Sequence, residues 1–262
     1  MLKEVMTTEA KFTYKLILSY KGTKYSGWQN QTENPETIQN YVEKVLAPIA
    51  KYKKFQVIGA SRTDTGVHAS GQVLKVILPR EIDPANLTKG MNSKLPDDIR
   101  VVSCEFIDGS LNVNRDSKFK EYHYYFTSQR AENAILAEAI YSFPEVLDIE
   151  LMNKACERII GEHNFMSFCY PGPNPSPPFR NILKCSIEKT NFLALESEVY
   201  YLKIQGTGFL RYMVRFLMGA LWDIGMKRLT LEELTLSLAT GEKHGVRTKA
   251  PSKGLHLMEI KF

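Results

Sequence analysis

A strict alternation of apolar and polar positions begins at residue 12 of the chain. The period of two predicts a half-buried strand over residues 12–20. Its apolar members are Phe12, Tyr14, Leu16, Leu18 and Tyr20. Shorter apolar runs predict further strands. These lie near residues 55–60, 72–78, 99–106, 118–128, 182–190, 199–205 and 255–262.

Apolar residues spaced three and four apart predict helices between these strands. The first helix is expected to begin at Asn34-Pro35, with the asparagine as its N-cap and the proline as its first helical residue. Its apolar face consists of Ile38, Val42, Val45, Leu46 and Ile49. The other predicted helices are a short one after Asp83-Pro84, one over 149–160 that Gly161 ends, an apolar one over 209–224, and one that begins with a capping box of Thr230 and Glu233.

Strands mixed with helices on one side indicate an α+β fold. From about residue 116 the chain presents a second, similar series of elements, although no repeat is visible at the level of single residues. We therefore expect an N-terminal tail over 1–11, an N-terminal half over 12–115 and a C-terminal half over 116–262. The proline-rich segment over 169–181 is expected to form an ordered loop or a lid.

Composition and charge place few limits on function. The chain has 262 residues, of which 44% are hydrophobic and 24% charged, as is ordinary for a globular protein. Its net charge of +5 suits a polyanionic partner and a slightly basic surface without a partner equally well. The four cysteines have no paired spacing, which argues against a zinc ribbon or a disulfide scaffold and favours a reducing cytoplasm. The sequence has no signal-peptide pattern and carries charges inside its longest apolar stretch, so it predicts a soluble protein that does not span a membrane.

The segment SRTDTGVHASGQ, residues 61–72, contains the first candidate for chemistry. Asp64 stands two residues before Gly66, which suits either a plain turn or a loop that holds a catalytic carboxylate. His68 follows four residues later, but no third side chain lies at a metal-ligand spacing, so no metal is expected. Nucleophile-elbow, phosphate-loop and dinucleotide motifs do not occur in the sequence. An enzyme built on this chain would therefore work with side chains alone and without a cofactor.

Two arginines in an apolar segment and two tyrosines on one predicted strand are the remaining candidates. Arg215 lies in the predicted helix over 209–224, where a buried guanidinium would need a carboxylate partner. Arg211, one turn earlier, would share its face, and both side chains could instead reach solvent. Tyr122 and Tyr124 point the same way from their strand, either as core residues or with a ring free to stack on a nucleobase.

These candidates occur within five short motifs in a fixed order. The motifs are YKGTKYSGWQNQ, SRTDTGVHASGQV, KEYHYYF, GFLRYMVRFLMGAL and APSKGLHL. In this order and spacing they resemble the TruA family of tRNA pseudouridine synthases, and the resemblance extends over nearly the whole chain. It implies an isomerase that breaks the bond between ribose and N1 of uracil, turns the base and rejoins it through C5, without a metal or a cofactor.

The resemblance also implies a fold, partners and roles for named residues. The family's fold is a mixed, mostly antiparallel sheet from two similar halves with flanking helices and a central cleft, and its members act on tRNA as homodimers. The implied targets are positions 38, 39 and 40 of the anticodon stem-loop. Asp64 matches the aspartate that either adds to C1′ or removes a proton from C2′, and Arg215 matches the arginine that pairs with it. Tyr122 matches the tyrosine that packs on the target base, and Arg62 matches the arginine that enters the RNA and helps to hold the uridine out. Arg211, where the family pattern is looser, is a candidate phosphate contact.

Other functions stay open at the level of sequence. One is a synthase that acts on another structured RNA such as rRNA, and another is a non-catalytic RNA-binding protein of the same fold. A different cofactor-free enzyme would need a second acid–base group near Asp64, for which His68 is the only local candidate. Ser61 stands where the family usually has glycine, and Phe216 stands where asparagine is usual. These departures bear on the choice of uridine and of RNA, because they leave Asp64 and Arg215 in place.

Overall fold

Ten strands and five helices run through the described part of the chain. The computed structural model describes residues 11–128, 136–143, 145–172, 177–190 and 198–262. The strands are β1 (Phe12–Tyr20), β2 (Gln56–Gly59), β3 (His68–Leu78), β4 (Ile99–Phe106), β5 (Phe119–Thr127), β6 (Tyr141–Ser142), β7 (Gly161–Asn164), β8 (Phe179–Thr190), β9 (Val199–Gly206) and β10 (Leu255–Lys261). The helices are α1 (Ile38–Ile49), α2 (Pro84–Asn92), α3 (Ile149–Ile159), α4 (Met213–Gly225) and α5 (Leu231–Thr240).

The strands form one sheet in the order β4-β1-β3-β10-β5-β9-β8-β7, with β2 beside β3 and β6 beside β5. The β3–β10 and β5–β6 pairs are parallel, and the other pairs are antiparallel. The predicted α+β fold with a mixed, mostly antiparallel sheet is therefore confirmed. Strand β10 joins the two sides of the sheet: His256 and Leu257 pair with His68 and Ala69 of β3, while its other edge pairs with β5.

One face of the sheet carries most of the core. In β1, Leu16 and Leu18 are fully buried while Ile17 between them is only partly covered, as the alternating sequence predicts. In β5, Tyr124 packs edge-on against Trp222 of α4, with their ring centroids 5.5 Å apart. Helix α3 packs on β8 and on α4, so it extends the core under the second half of the sheet. In the described ranges, no helix is long and apolar enough to cross a membrane.

The predicted start of the first helix is wrong. Helix α1 begins at Ile38, and its N-cap is Thr37, whose hydroxyl accepts a hydrogen bond from the N–H of Asn40. Asn34 instead accepts from the N–H of Glu36, two residues on, and so closes a turn before the helix.

Two further boundaries differ from the prediction because of contacts that are distant in sequence. Strand β3 begins at His68 rather than at residue 72, because its first residues pair with β10. Helix α4 begins at Met213 rather than at residue 209, because Tyr212 has a left-handed backbone conformation, with φ +64°. Arg211 therefore precedes the helix and does not share a helical face with Arg215. The capping box of Thr230 and Glu233 is confirmed at the start of α5.

The predicted loop or lid over 169–181 lies partly outside the described residues, which omit 173–176. From Phe179 onward this segment is already strand β8.

Candidate active site

A cleft of about 800 Å³ opens between the residues that follow β2 and those around the start of α4. One wall is the segment 60–65, which we call the Asp64 loop, and the opposite wall is the segment 209–214. Lys120 and Tyr122, two residues apart on the same face of β5, lie between the two walls.

Backbone hydrogen bonds to a second loop hold the Asp64 loop in place. The N–H of Trp28 donates to the carbonyl of Thr63 over 3.0 Å, and the N–H of Gly66 donates to the carbonyl of Tyr25 over 3.2 Å. Gly27 has φ +91°, and a Cβ there would lie 2.7 Å from the carbonyl oxygen of Thr63. Only glycine allows this close approach of the two backbones. The carboxylate at residue 64 is thus carried by a loop that is fixed at both of its sides.

Asp64 is also a turn residue, as its local sequence predicts. Its carbonyl accepts a hydrogen bond from the N–H of Val67 over 3.1 Å, and Gly66 takes φ +78°. The backbone of Asp64 closes the turn while its side chain lines the cleft, so the turn does not exclude a chemical role for the carboxylate.

The carboxylate of Asp64 faces the guanidinium of Arg215. Oδ2 of Asp64 lies 3.9 Å from Nη1 of Arg215, and the two side chains are 22% and 12% exposed. Nε of Arg215 donates to the carbonyl of Ala250 over 2.7 Å, which fixes the guanidinium from its other side. Burial raises the pKa of Asp64 above its ordinary value, and the positive charge of Arg215 opposes this shift.

Three cations surround the ring of Tyr212 at the mouth of the cleft. Nζ of Lys249 lies 4.5 Å from the ring centroid, and the guanidinium carbons of Arg211 and Arg215 lie 4.8 and 5.2 Å from it. Such distances allow cation–π attraction, which keeps the three charges together. The charges of Arg211 and Lys249 also lower the pKa of Asp64, so their field reaches the cleft.

Tyr122 and Tyr124 point to the same face of β5, but they have different surroundings. The hydroxyl of Tyr122 lies 2.8 Å from Oγ of Ser61, and its ring meets Phe209 edge-on with centroids 5.1 Å apart. Burial raises the pKa of Tyr122 to about 12, so its phenol stays protonated at neutral pH. Tyr124 donates to the carbonyl of Pro251 over 2.8 Å and is fully buried. Tyr122 lines the cleft, whereas Tyr124 packs in the core.

This geometry can be compared with known proteins. A family model described as tRNA pseudouridine synthase matches residues 16–108 and 155–262. The chain belongs to this family. Tyr122 lies between the two matched ranges, whereas the Asp64 loop and Arg215 lie inside them. Family membership makes the chain an isomerase, a tRNA pseudouridine synthase.

Curated relatives extend the match over nearly the whole length. A protein named tRNA pseudouridine synthase A 2 from Desulfotalea psychrophila is 37% identical over 94% of this chain and 97% of its own. A tRNA pseudouridine synthase A from Methylacidiphilum infernorum is 33% identical over 95% of each chain. Among solved structures, a Cbf5-Nop10-Gar1 complex aligns with 93% of this chain and 48% of the matched chain, at a TM-score of 0.32 and 12% identity.

The structure brings together all four site residues that the family resemblance predicts. Arg62, Asp64 and Tyr122 line the cleft, with Arg62 exposed on the Asp64 loop, and Arg215 faces the carboxylate of Asp64. His68 does not line the cleft: it is buried and stacks on His256, with centroids 4.5 Å apart. Burial lowers the pKa of His68 to about 4, so the ring is neutral at pH 7 and is a structural residue rather than a second acid–base group of the cleft.

Sequence reasoning missed Lys120, Tyr212 and Lys249. Nζ of Lys120 donates to the carbonyl of Ala60 over 2.6 Å, and burial lowers the pKa of this lysine. A signal existed for Lys120, because it stands two residues before Tyr122 and so shares its face of the strand. No local signal pointed to Lys249, which reaches Tyr212 only through the tertiary fold. Within the described segments, no group of three His, Cys, Asp or Glu side chains could hold a metal ion.

Proposed function

We propose that this enzyme isomerises uridine to pseudouridine in the anticodon stem-loop of tRNA, at positions 38, 39 and 40. The observation that carries the proposal is the half-buried carboxylate of Asp64 opposite Arg215, in a cleft with the volume of a nucleotide-sized site. Arg62 lines this cleft and is exposed, so its guanidinium could enter the RNA and hold a uridine out of the stack.

The reaction needs one group at the sugar and one at the base. Asp64 acts at the ribose, either by adding to C1′ or by removing a proton from C2′, and the C1′–N1 bond breaks. The base turns and C5 bonds to C1′, which breaks the C1′–Asp64 bond in the first case and is accompanied by return of the proton from Asp64 to C2′ in the second. The proton that leaves C5 is balanced by the one that N1 gains. Arg215 favours the ionised form of Asp64 against the desolvation of the cleft. Tyr122 packs on the uracil, and its hydroxyl serves the proton transfer at C5.

Three further proposals have separate grounds. The family resemblance supports a homodimer, and the four cysteines without paired spacing support the cytoplasm. The order of elements supports a division into a tail and two halves at residues 11 and 115. Light scattering of the purified protein would give its mass in solution. A monomer that is fully active at the same concentration would contradict the dimer.

Pseudouridine mapping tests the proposed activity. Purified protein is incubated with tRNA transcripts that carry uridine at 38, 39 or 40, with transcripts that lack these uridines, and with rRNA fragments. We expect modification of the first set only. Modification of rRNA alone would show that the substrate is rRNA and not tRNA. Tight binding without any pseudouridine would show that the protein is a non-catalytic RNA-binding protein.

A further inference from the structure

A buried pair of hydroxyl groups links the Asp64 loop to the strand that carries Tyr122. Oγ of Ser61 lies 2.8 Å from the phenol oxygen of Tyr122, and the two residues are 8% and 7% exposed. Among the described residues, Ser61 is the one hydrogen-bond partner of the Tyr122 hydroxyl. A buried phenol with one protein partner has the position of its oxygen fixed by that partner, whichever of the two hydroxyls donates.

Ser61 is itself held rigidly. Its N–H donates to Oε1 of Gln72 over 3.2 Å, and its carbonyl accepts from Nε2 of the same side chain over 2.7 Å. Gln72 is fully buried in β3, so this two-point contact fixes the backbone of Ser61 relative to the sheet. The hydroxyl of Ser61 is therefore a fixed point to which the phenol of Tyr122 is attached.

A second hydrogen bond joins the Asp64 loop to β5, and a separate packing contact holds the ring of Tyr122. Lys120 donates to the carbonyl of Ala60, the residue before Ser61. Phe209 packs edge-on against the ring of Tyr122. Packing thus sets the plane of the ring, while Ser61 fixes the position of its phenol oxygen.

We propose that Ser61 is a positioning residue for the isomerisation, which holds the phenol of Tyr122 in register with the target base. The inference rests on the proposed function, because it assumes that Tyr122 meets the uracil. Ser61 acts on the reaction through Tyr122. Its loss should lower kcat and leave the KM for tRNA unchanged.

The first experiment compares Ser61→Ala with Ser167→Ala. Ser167 is another buried serine, outside the cleft, whose hydroxyl donates to the carbonyl of Ser237. We expect kcat to fall roughly 3–10-fold in Ser61→Ala, the range of one lost hydrogen bond, with KM unchanged. Ser167→Ala should keep the wild-type kcat. If Ser61→Ala does not fold, Ser61→Gly removes the same hydroxyl.

The second experiment places the change at Ser61 in a Tyr122→Phe background. Single-turnover rates with enzyme in excess, followed over hours, remain measurable in slow variants. Ser61→Ala should slow the wild type and leave Tyr122→Phe unaffected, because the phenol that it positions is gone. Equal slowing in both backgrounds, or an unchanged kcat in the wild-type background, would overturn the proposal. A wild-type protein that makes no pseudouridine at any position would refute the proposed function first, and the role of Ser61 would fall with it.

Discussion

The ion pair of Asp64 and Arg215 gives a quantitative prediction for the variant Arg215→Met. Methionine keeps much of the length of the side chain and removes its charge and its hydrogen bonds. Two unit charges 4 Å apart attract each other by about 4 kcal/mol at an effective dielectric constant of 20. The observed separation is 3.9 Å, but the side chains are 12% and 22% exposed, so solvent weakens the attraction. We expect the stranded carboxylate to lower the free energy of unfolding at pH 7.5 by about 2 kcal/mol.

A second loss in Arg215→Met does not depend on pH. The carbonyl of Ala250 loses the hydrogen bond from Nε, which contributes about 1 kcal/mol. The total loss at pH 7.5 is then about 3 kcal/mol.

The part of this loss that comes from the stranded carboxylate depends on pH, and its direction can be predicted. Burial has already raised the folded-state pKa of Asp64, and removing Arg215 raises it further. A carboxyl group with a raised folded-state pKa contributes stability that is fully present below its unfolded pKa and is lost as the pH rises through its folded pKa. The deficit of Arg215→Met relative to the wild type should therefore be largest at neutral pH and should shrink as Asp64 is protonated. The acidic limb of the activity profile should move to higher pH in the same variant, in so far as it retains turnover.

Urea unfolding between pH 4 and pH 8 measures these quantities. The buried pair His68 and His256 titrates in the wild type and in the variant alike, so the difference between the two proteins isolates Asp64. Asp64→Asn is the control background. In it, Arg215→Met should lose only the hydrogen bond to the carbonyl of Ala250, about 1 kcal/mol. A loss that is the same at every pH, or the same in the Asp64→Asn background, would refute the pairing of the two residues.

Three other variants test single residues of the cleft, and Tyr124→Phe in the core is the control for one of them. Asp64→Asn should abolish isomerisation and keep the affinity for tRNA, because the amide can neither add to C1′ nor accept the proton; a tenth of the wild-type turnover would exclude Asp64 as the catalytic group. Tyr122→Phe should fold and bind RNA normally but turn over much more slowly, whereas Tyr124→Phe should lose about 1 kcal/mol of stability with its bond to Pro251 and keep its turnover; equal rates would leave the hydroxyl of Tyr122 without a role. Binding of tRNA should weaken steeply with salt, and Arg211→Gln should reduce the slope of log K against log salt concentration by about 1; an unchanged slope would show that Arg211 contacts no phosphate.

The sequence predicts those elements whose signal is local. The alternation in β1 and the capping box of Thr230 and Glu233 depend on residues a few positions apart, and both are confirmed. The start of β3 depends on pairing with β10, and the start of α4 depends on the left-handed Tyr212. Local propensity contains neither of these facts, because tertiary contacts decide between conformations of similar energy.

The candidate site shows the same limit. Asp64 alone reads as a turn residue, and only the order of five motifs singles it out as a catalytic candidate. Two contacts of the site join residues far apart in sequence: the hydrogen bond between Tyr122 and Ser61, and the cation–π contact between Lys249 and Tyr212. Such contacts follow from the register of β5 and β10 in the sheet, which no single segment specifies.

The place of β10 in the sheet has a consequence for how the enzyme is made. About 190 residues separate His68 of β3 from its partner His256 of β10. A ribosome that adds 5–20 residues per second needs roughly 10–40 s to synthesise this stretch. Until β10 emerges, β3 and β5 each present an open edge to other nascent chains, and the cleft lacks Leu255 from its wall. Substitutions in β10 should therefore reduce the yield of folded protein in cells more than an equal loss of equilibrium stability elsewhere would.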